Sequence, residues 1–153
     1  MPPLHATFFL ETNQIKRIVL APSPSFSLTI QTKTPFPNLE SLIRSWIDSY
    51  LKKKEPSLVL PLSFIGLPKF TKEALLAISS IPYGQTKSYQ MIAIDTGSPK
   101  AVRAIGNICH RNPFPLVIPC HRVIQSNGKI GGFAYDLALK KEMLQFEVVT
   151  SEE

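Results

Sequence analysis

The sequence is poor in cysteine and has no long apolar run, and both shortages limit what the protein can be. Its 153 residues include only two cysteines, Cys109 and Cys120, which are too few for the disulfide framework of a small secreted protein. The longest apolar stretch, residues 58–62, is interrupted by Pro61 and falls far short of the roughly 20 residues that cross a bilayer. No signal peptide is recognisable. The sequence therefore predicts a cytoplasmic protein without a membrane partner.

The positive charge is unevenly distributed along the chain. The formal net charge is +6, from 17 basic and 11 acidic residues. Residues 69–129 contain eight basic and two acidic residues, so this stretch carries the whole excess. Such a local positive field favours a polyanionic partner, above all nucleic acid. A solvated basic surface that only maintains solubility is the alternative, and charge alone does not decide between the two.

Turn-forming residues and hydrophobic periodicity divide the chain into two predicted domains, residues 1–66 and 67–153. Three short strands are predicted in the first domain, at residues 6–9, 15–20 and 26–32. An amphipathic helix follows at residues 39–54, with Asn38 as its predicted N-cap. No residue of this domain is predicted to act in catalysis, and a proline-marked connector follows it.

The second domain is predicted to be mostly helical. Its predicted elements are helices at residues 71–79, 89–95 and 99–110 and a short buried strand at residues 116–118. Ser88 and Ser98 are the predicted N-caps of the second and third helices, and Pro99 suits the first helical position.

The second and third of these helices form a helix-turn-helix pattern, because a tight turn containing Gly97 joins them. Lys100, Arg103 and Asn107 fall on the face of the later helix that is opposite its apolar residues. Cations and an amide on an outward face suit a helix that contacts phosphates and a DNA groove. An ordinary helical hairpin is the alternative.

The candidate reactive group is the thiol of Cys120. Pro119 fixes the turn that precedes it, and His121 follows it directly. Thiol chemistry requires the thiolate, and His121 can accept the proton directly or through a water. A carboxylate such as Glu147 could orient the imidazole and stabilise its charged form.

Two alternatives remain open for these residues. Cys120 could be an inert buried cysteine, which is the commoner fate of a thiol. The Cys–His pairs at residues 109–110 and 120–121 could also bind zinc, although neither has the usual ligand spacing. No metal site is predicted.

The second domain contains the motif Pro-Cys-His-Arg-Val at residues 119–123. Further motif segments lie at residues 81–84, 88–89, 99–106, 111–113 and 127–132. In their order and spacing, these motifs resemble those of the O6-alkylguanine-DNA alkyltransferases. The resemblance covers about residues 67–147, whereas the residues before it match only in their general order of strands and a helix.

This resemblance implies DNA repair by a stoichiometric and irreversible reaction. Cys120 would take the alkyl group from O6-alkylguanine in double-stranded DNA, with O4-alkylthymine as a weaker substrate. His121 would be the base, acting through a water, while Glu147 polarises it and Asn112 helps to hold the site. Tyr89 would contact the flipped nucleotide. The resemblance implies no cofactor and no obligate protein partner, and it implies a monomer.

The resemblance also implies a fold and a set of contacts with DNA. The first domain would be a ribonuclease H-like β-sheet with a helix, within an overall α/β fold. Arg103 would enter the duplex in place of the extruded base. The implied DNA contacts are Arg103, Tyr89, Lys100, Ala101, Asn107 and Arg111. The implied substrate pocket comprises Val123, Phe133, Ala134 and Tyr135.

The sequence departs from the family pattern beside this pocket. Phe133 stands where the family usually has tyrosine, and Tyr135-Asp136 replaces a common glycine pair. These changes are expected to reshape the pocket and to disfavour bulky O6 substituents. Two other functions remain open: a lesion-binding module that transfers no alkyl group, and a cysteine hydrolase that uses Cys120 and His121.

Overall fold

Strands and helices follow one another in a mixed α/β order within residues 1–131 and 137–148, which the computed structural model describes. The strands are β1 (Leu4–Glu11), β2 (Gln14–Pro22), β3 (Ser27–Gln31), β4 (Lys87–Ser88) and β5 (Val123–Ile124). The helices are α1 (Pro37–Leu51), α2 (Lys69–Ser79), α3 (Tyr89–Asp95), α4 (Val102–His110) and α5 (Leu137–Glu147), with a 3-10 turn at Cys120–Arg122. Within these ranges, no helix combines the length and the apolar character needed to cross a membrane.

The three predicted N-terminal strands are confirmed and form one sheet in the order β2-β1-β3. β1 is antiparallel to β2 and parallel to β3. Thr12 and Asn13 connect β1 to β2 with φ values of 50° and 59°, and two successive positive φ angles are typical of the tight turn that matches strand twist. The residues of β1 that face the core are Leu4, Ala6, Phe8 and Leu10. The sheet therefore has one apolar face, as the alternating sequence indicates.

The helix α1 begins two residues earlier than predicted, so Asn38 is not its N-cap. Pro37 occupies its first turn, where the missing N–H group breaks no intrahelical hydrogen bond. The N-cap is Phe36, whose backbone N–H donates to Oε2 of Glu40 at 3.0 Å. A side chain of the first turn thus satisfies the backbone donor of the N-cap residue, and Asn38 lies within the helix.

The helix α1 also ends earlier than predicted, at Leu51, because the backbone reverses after it. Lys53 has a φ of 57°. Its N–H donates to the carbonyl of Tyr50 at 3.0 Å, and the N–H of Lys54 donates to the carbonyl of Ser49 at 3.1 Å. This pair of bonds is the Schellman motif, which satisfies the last carbonyls of a helix through a left-handed residue.

The N-terminal sheet is joined directly to the later part of the chain. The N–H of Ile15 donates to the carbonyl of Pro61, and the N–H of Ser63 donates back to Ile15. The N–H of Ile18 donates to the carbonyl of Pro113 at 2.9 Å. β2 is an edge strand, so these bonds occupy backbone groups that the sheet leaves unpaired. The sheet thereby supports the segment that leads to Cys120.

The predicted helix at residues 89–95 is confirmed, and Ser88 caps it by accepting a hydrogen bond from the N–H of Met91 at 3.0 Å. The next helix begins at Val102 rather than at residue 99, so Ser98 does not cap it. Residues 98–101 instead form a turn, with a bond from the N–H of Ala101 to the carbonyl of Ser98 at 2.9 Å. Gln90 holds this turn through a side-chain bond to the carbonyl of residue 99.

The strand predicted at residues 116–118 is wrong, since this segment is a turn. Leu116 has a φ of 76°, and the N–H of Ile118 donates to the carbonyl of Phe114 at 2.8 Å. Prolines at positions 113, 115 and 119 remove the N–H groups that a strand ladder needs. Apolar residues in this segment are buried by folding back rather than by pairing.

We expect Lys53→Gly to raise the free energy of unfolding by about 0.5 kcal/mol, because glycine adopts a positive φ without the strain that a Cβ causes. Urea denaturation measures this change. Lys52→Gly is the control and should be destabilised, since Lys52 has a φ of −83°, gains nothing from glycine and loses an exposed ion pair with Asp48. Equal destabilisation by both substitutions would show that strain at Lys53 is negligible.

Candidate active site

The 3-10 turn places Cys120 beneath the surface, where its exposed fraction is 1%. Asn112 holds the loop that leads to it. The Nδ2 group of Asn112 donates to the carbonyl of Ile118 at 2.9 Å, and its Oδ1 accepts from the N–H of Phe114 at 2.9 Å. Both ends of the loop are thus tied to one buried amide, which fixes the backbone on which the thiol sits.

The surroundings of Cys120 favour the neutral thiol. Burial raises the pKa of Cys120 well above its usual value, and the neighbouring Cys109 thiol adds to this effect. Asn112 and Lys140 act in the opposite direction without reversing it. The sulfur therefore carries a proton at neutral pH, and nucleophilic chemistry at Cys120 requires a group that removes this proton.

The imidazole of His121 is fully buried and contacts the Glu147 carboxylate, with 2.5 Å between Nε2 and Oε2. Burial lowers the pKa of His121 below 6.5, although the charge and hydrogen bond of Glu147 act to raise it. The ring is therefore neutral at neutral pH, with its proton on Nε2, the nitrogen that faces the carboxylate. Nδ1 is buried, has no hydrogen-bond partner among the described residues and is available as a proton acceptor.

Three side chains donate to the buried carboxylate of Glu147. His121 and the Tyr50 hydroxyl, at 2.6 Å, share Oε2, while Nε of Arg122 donates to Oε1 at 2.7 Å. Arg122 also donates to the carbonyl of Ile81 at 2.8 Å. Burial acts to raise the pKa of Glu147, but His121 and Arg122 outweigh it and lower this pKa. The sequence indicated no role for Tyr50, since a tyrosine on an apolar helix face is ordinary core.

A buried lysine, Lys140, also belongs to the site, although the sequence analysis missed it. Its Nζ donates to the carbonyls of Val123 at 2.8 Å and Ile130 at 2.7 Å, and it lies 3.3 Å from the Tyr89 hydroxyl. Burial lowers the pKa of Lys140 to about 8, which leaves it mostly cationic at neutral pH. Its position two helical turns before Glu147, on the same face of α5, is the signal that could have identified it.

The Tyr89 side chain is nearly buried, with 9% of its surface exposed. Burial raises the pKa of Tyr89, and the two nearby thiols add to this effect, so the phenol keeps its proton at neutral pH. Gly131 packs directly against the ring. A Cβ atom at Gly131 would lie 2.8 Å from a ring carbon and 2.9 Å from the hydroxyl oxygen of Tyr89. The ring of Tyr89 therefore occupies space that a side chain at position 131 would need.

The side chains expected to contact DNA lie apart from this buried cluster. Arg103 and Asn107 are exposed one turn apart on α4. Lys100 is exposed and half-buried Ala101 follows it, but both precede the helix instead of lying on its face. Arg111 is exposed just after the C-terminal end of α4. Lys100 thus lies before α4 and Arg111 after it, while Arg103 lies on the helix itself.

Only part of the expected substrate pocket can be described. Val123 is fully buried in β5, beside the 3-10 turn. Phe133, Ala134, Tyr135 and Asp136 lie outside the described residues. Among the residues that the structure does describe, no three histidine, cysteine or acidic side chains are placed to hold a metal ion.

We expect Gly131→Ala to destabilise the protein more than Gly128→Ala does. Both glycines have positive φ values, 76° and 84°, so both substitutions add backbone strain of about 1 kcal/mol. A Cβ at Gly128 meets nothing within 4 Å, whereas the one at Gly131 displaces Tyr89 and adds about 1–3 kcal/mol. Urea denaturation compares the two variants, and equal losses would contradict the close packing on Tyr89.

Comparison with known proteins supports an assignment of this arrangement to a family. The chain is 42% identical over 101 residues to the methylated-DNA--protein-cysteine methyltransferase of Methanosarcina barkeri, covering 66% of this chain and 63% of that protein. It is 38% identical over 115 residues to the protein of the same name from Methanosarcina acetivorans, covering 67% of this chain and 74% of that protein. The chain thus spans less than two thirds of the length of the first relative.

The fold and a family model agree with these similarities. The structure is similar to the crystal structure of Mycobacterium tuberculosis OGT in complex with DNA, with a TM-score of 0.72 and 24% identity over 94% of this chain and 92% of that one. The model of the family described as "6-O-methylguanine DNA methyltransferase, DNA binding domain" matches residues 69–149, more than half of the chain. The chain therefore belongs to the 6-O-methylguanine DNA methyltransferase family.

Proposed function

We propose that this chain repairs double-stranded DNA by transferring the alkyl group of O6-alkylguanine to the Sγ atom of Cys120, once per molecule. One observation carries this proposal. A buried thiol precedes, in the chain, a buried neutral imidazole whose Nδ1 is available as an acceptor. This combination supplies a protected nucleophile and its base, and the family membership of residues 69–149 supplies the substrate class.

The reaction begins with removal of the Cys120 proton, which passes to Nδ1 of His121 through a water. The thiolate attacks the alkyl carbon in line with the bond to O6, so that a C–S bond forms as the C–O bond breaks. Glu147 stabilises the imidazolium formed at His121. The thioether at Cys120 is stable, so no step regenerates the thiol and no cofactor is required.

The departing guanine needs a proton, and Tyr89 is the proposed donor. Its phenol is protonated at neutral pH because burial raises its pKa. Protonation of the leaving base lowers the barrier to its departure. Nζ of Lys140 lies 3.3 Å from the phenolic oxygen and, as a cation, stabilises the negative charge that develops there.

Burial of Cys120 requires that the guanine leave the duplex and open the pocket as it enters. An O6-alkyl carbon inside stacked DNA is out of reach, and flipping a base costs a few kcal/mol, with least cost for a poorly paired lesion. We propose that α3 and α4 act as a helix-turn-helix and that Arg103 fills the space left by the base. The exposed position of Arg103 on α4 supports this role.

The remaining features of the proposal concern organisation and substrate range. Residues 67–153 would form the alkyltransferase and DNA-binding domain, and residues 1–66 a ribonuclease H-like domain that supports it. We further propose a cytoplasmic monomer that needs no protein partner and that repairs O4-alkylthymine more weakly. The residues expected to disfavour bulky adducts, Phe133 and Tyr135, lie outside the described part of the chain.

Intact-protein mass spectrometry tests the transfer itself. After incubation with duplex DNA that contains O6-methylguanine, we expect one methyl group per molecule, located on Cys120 by peptide mapping. Cys120→Ser should acquire none. An unshifted mass with tight lesion binding would favour a lesion-binding module, and repeated turnover of an ester or amide would favour a cysteine hydrolase. Methylation of Cys109 instead would remove Cys120 as the acceptor.

Substitution of Arg103 tests the proposed base-flipping role. We expect Arg103→Ala to slow methyl transfer from duplex DNA by at least about tenfold, or about 1.4 kcal/mol, and to leave reaction with a free O6-alkylguanine base nearly unchanged. Arg44→Ala is the matched control, because Arg44 is an exposed arginine on α1 and its removal changes the net charge equally. Equal losses with both substrates would exclude the role of Arg103 in the duplex.

A further inference from the structure

We propose that Tyr50 is a positioning residue of the transfer reaction. Its hydroxyl donates a hydrogen bond to the Glu147 carboxylate and thereby weakens the attraction of this carboxylate for the proton of His121. Tyr50 lies in α1, outside residues 69–149 that the family model matches. The inference rests on the proposed function in one respect, since it takes His121 to be the base for Cys120. It assigns the N-terminal part of the chain a share in the chemistry.

The geometry of the carboxylate carries the inference. The Tyr50 hydroxyl donates to Oε2 of Glu147 at 2.6 Å, and Nε2 of His121 contacts the same oxygen at 2.5 Å. The side chains of all three residues are at least 98% buried. Two donors therefore share one oxygen in a medium of low polarity, where each hydrogen bond strongly affects the other. A change in the hydrogen bond from Tyr50 therefore alters the strength of the hydrogen bond between this oxygen and His121.

Tyr50 cannot easily leave this position. Its ring stacks on Trp46 with 5.6 Å between centroids and 5° between planes. The ring of Tyr83 packs edge-on with 5.5 Å between centroids, and that of Phe146 is tilted with 5.6 Å between centroids. The Schellman motif that ends α1 includes the carbonyl of Tyr50, so the backbone is fixed as well. Burial and the Glu147 charge raise the pKa of Tyr50, which keeps the hydroxyl protonated and donating.

Removal of this hydroxyl should make the carboxylate a stronger base. A hydrogen bond from Tyr50 stabilises the anionic form of Glu147. Without it, Oε2 attracts the proton shared with His121 more strongly, and the imidazolium becomes easier to form before any substrate is present. A protonated His121 cannot accept the proton of Cys120. The hydroxyl therefore keeps the base neutral at the pH where it must act.

A substitution at Tyr50 leaves the other charged and titratable residues around His121 and Glu147 in place. Those that face His121 or Glu147 are Arg122 on the 3-10 turn, Lys140 on α5, and Tyr83 in the loop after α2. Arg122 and Lys140 act to lower the pKa of His121. Any upward shift in the titration of His121 in a Tyr50 variant is then attributable to the lost hydroxyl.

The experiment is Tyr50→Phe, which keeps the ring and its stacking but removes the donor. We expect the acid limb of the plot of methyl-transfer rate against pH to move upward by about one pH unit. At pH values below the new limb, the rate should be about tenfold lower than that of the original protein. The rate at high pH should stay close to that of the original protein. In parallel, NMR titration follows His121, whose signals can be resolved because the chain has only three histidines. We expect its titration to move upward as well, because Glu147 has lost the hydrogen bond from Tyr50.

Trp46→Phe is the control for a purely structural effect. It weakens the support of α1 around Tyr50 and keeps the hydroxyl, so we expect lower stability with an unmoved acid limb. A shift of the limb and of the His121 titration in Tyr50→Phe alone supports the inference. Unshifted values in Tyr50→Phe, or equal shifts in both variants, overturn it.

The same measurements separate this inference from the proposed function. The NMR titration needs no DNA, so it reports the coupling between Tyr50 and His121 even if no methyl group is transferred. If the original protein transfers no methyl group while the titration shifts in Tyr50→Phe, the proposed function fails and the positioning of the carboxylate stands. If transfer proceeds and the titration does not shift, the inference fails alone.

Discussion

The structure depends on one ionised carboxylate, that of Glu147, held inside the protein. An unpaired charge in such a place costs several kcal/mol, and it persists only where donors occupy its oxygens. Here the donors come from three places in the chain: the end of α1, the imidazole after Cys120, and the arginine that follows it. The folded core and the site therefore share this carboxylate, since the contacts that stabilise its charge also join α1 to the segment that contains Cys120.

Burial also sets the protonation states that the chemistry needs. The thiol, the imidazole and the phenol are neutral at neutral pH because charge is poorly solvated around them. Arg122 and Lys140 are buried cations, and they are tolerated because Arg122 donates to the carbonyl of Ile81 and Lys140 donates to those of Val123 and Ile130. The thiol and the imidazole are therefore in the protonation states from which the proposed reaction starts.

The sequence was sufficient for the features that short segments encode. Short segments separated by turn-forming residues predicted the first three strands, and Ser88 predicted the start of α3. It was insufficient where distant residues meet. Tyr50 and Glu147 are 97 positions apart, and no local pattern distinguishes a tyrosine that donates to a carboxylate from one that fills space. The strand predicted at residues 116–118 was wrong for a different, local reason, since their apolar character was clear but the flanking prolines decided the backbone.

In the proposed reaction Cys120 is used once, so its depth affects how long the unreacted protein persists. A sulfur atom that can react only once is lost if a stray oxidant or soluble electrophile reaches it first. With 1% of its surface exposed and its proton in place, it offers such molecules neither access nor a thiolate. In the proposed reaction, the thiol is thus protected until the base that carries the alkyl group enters the site.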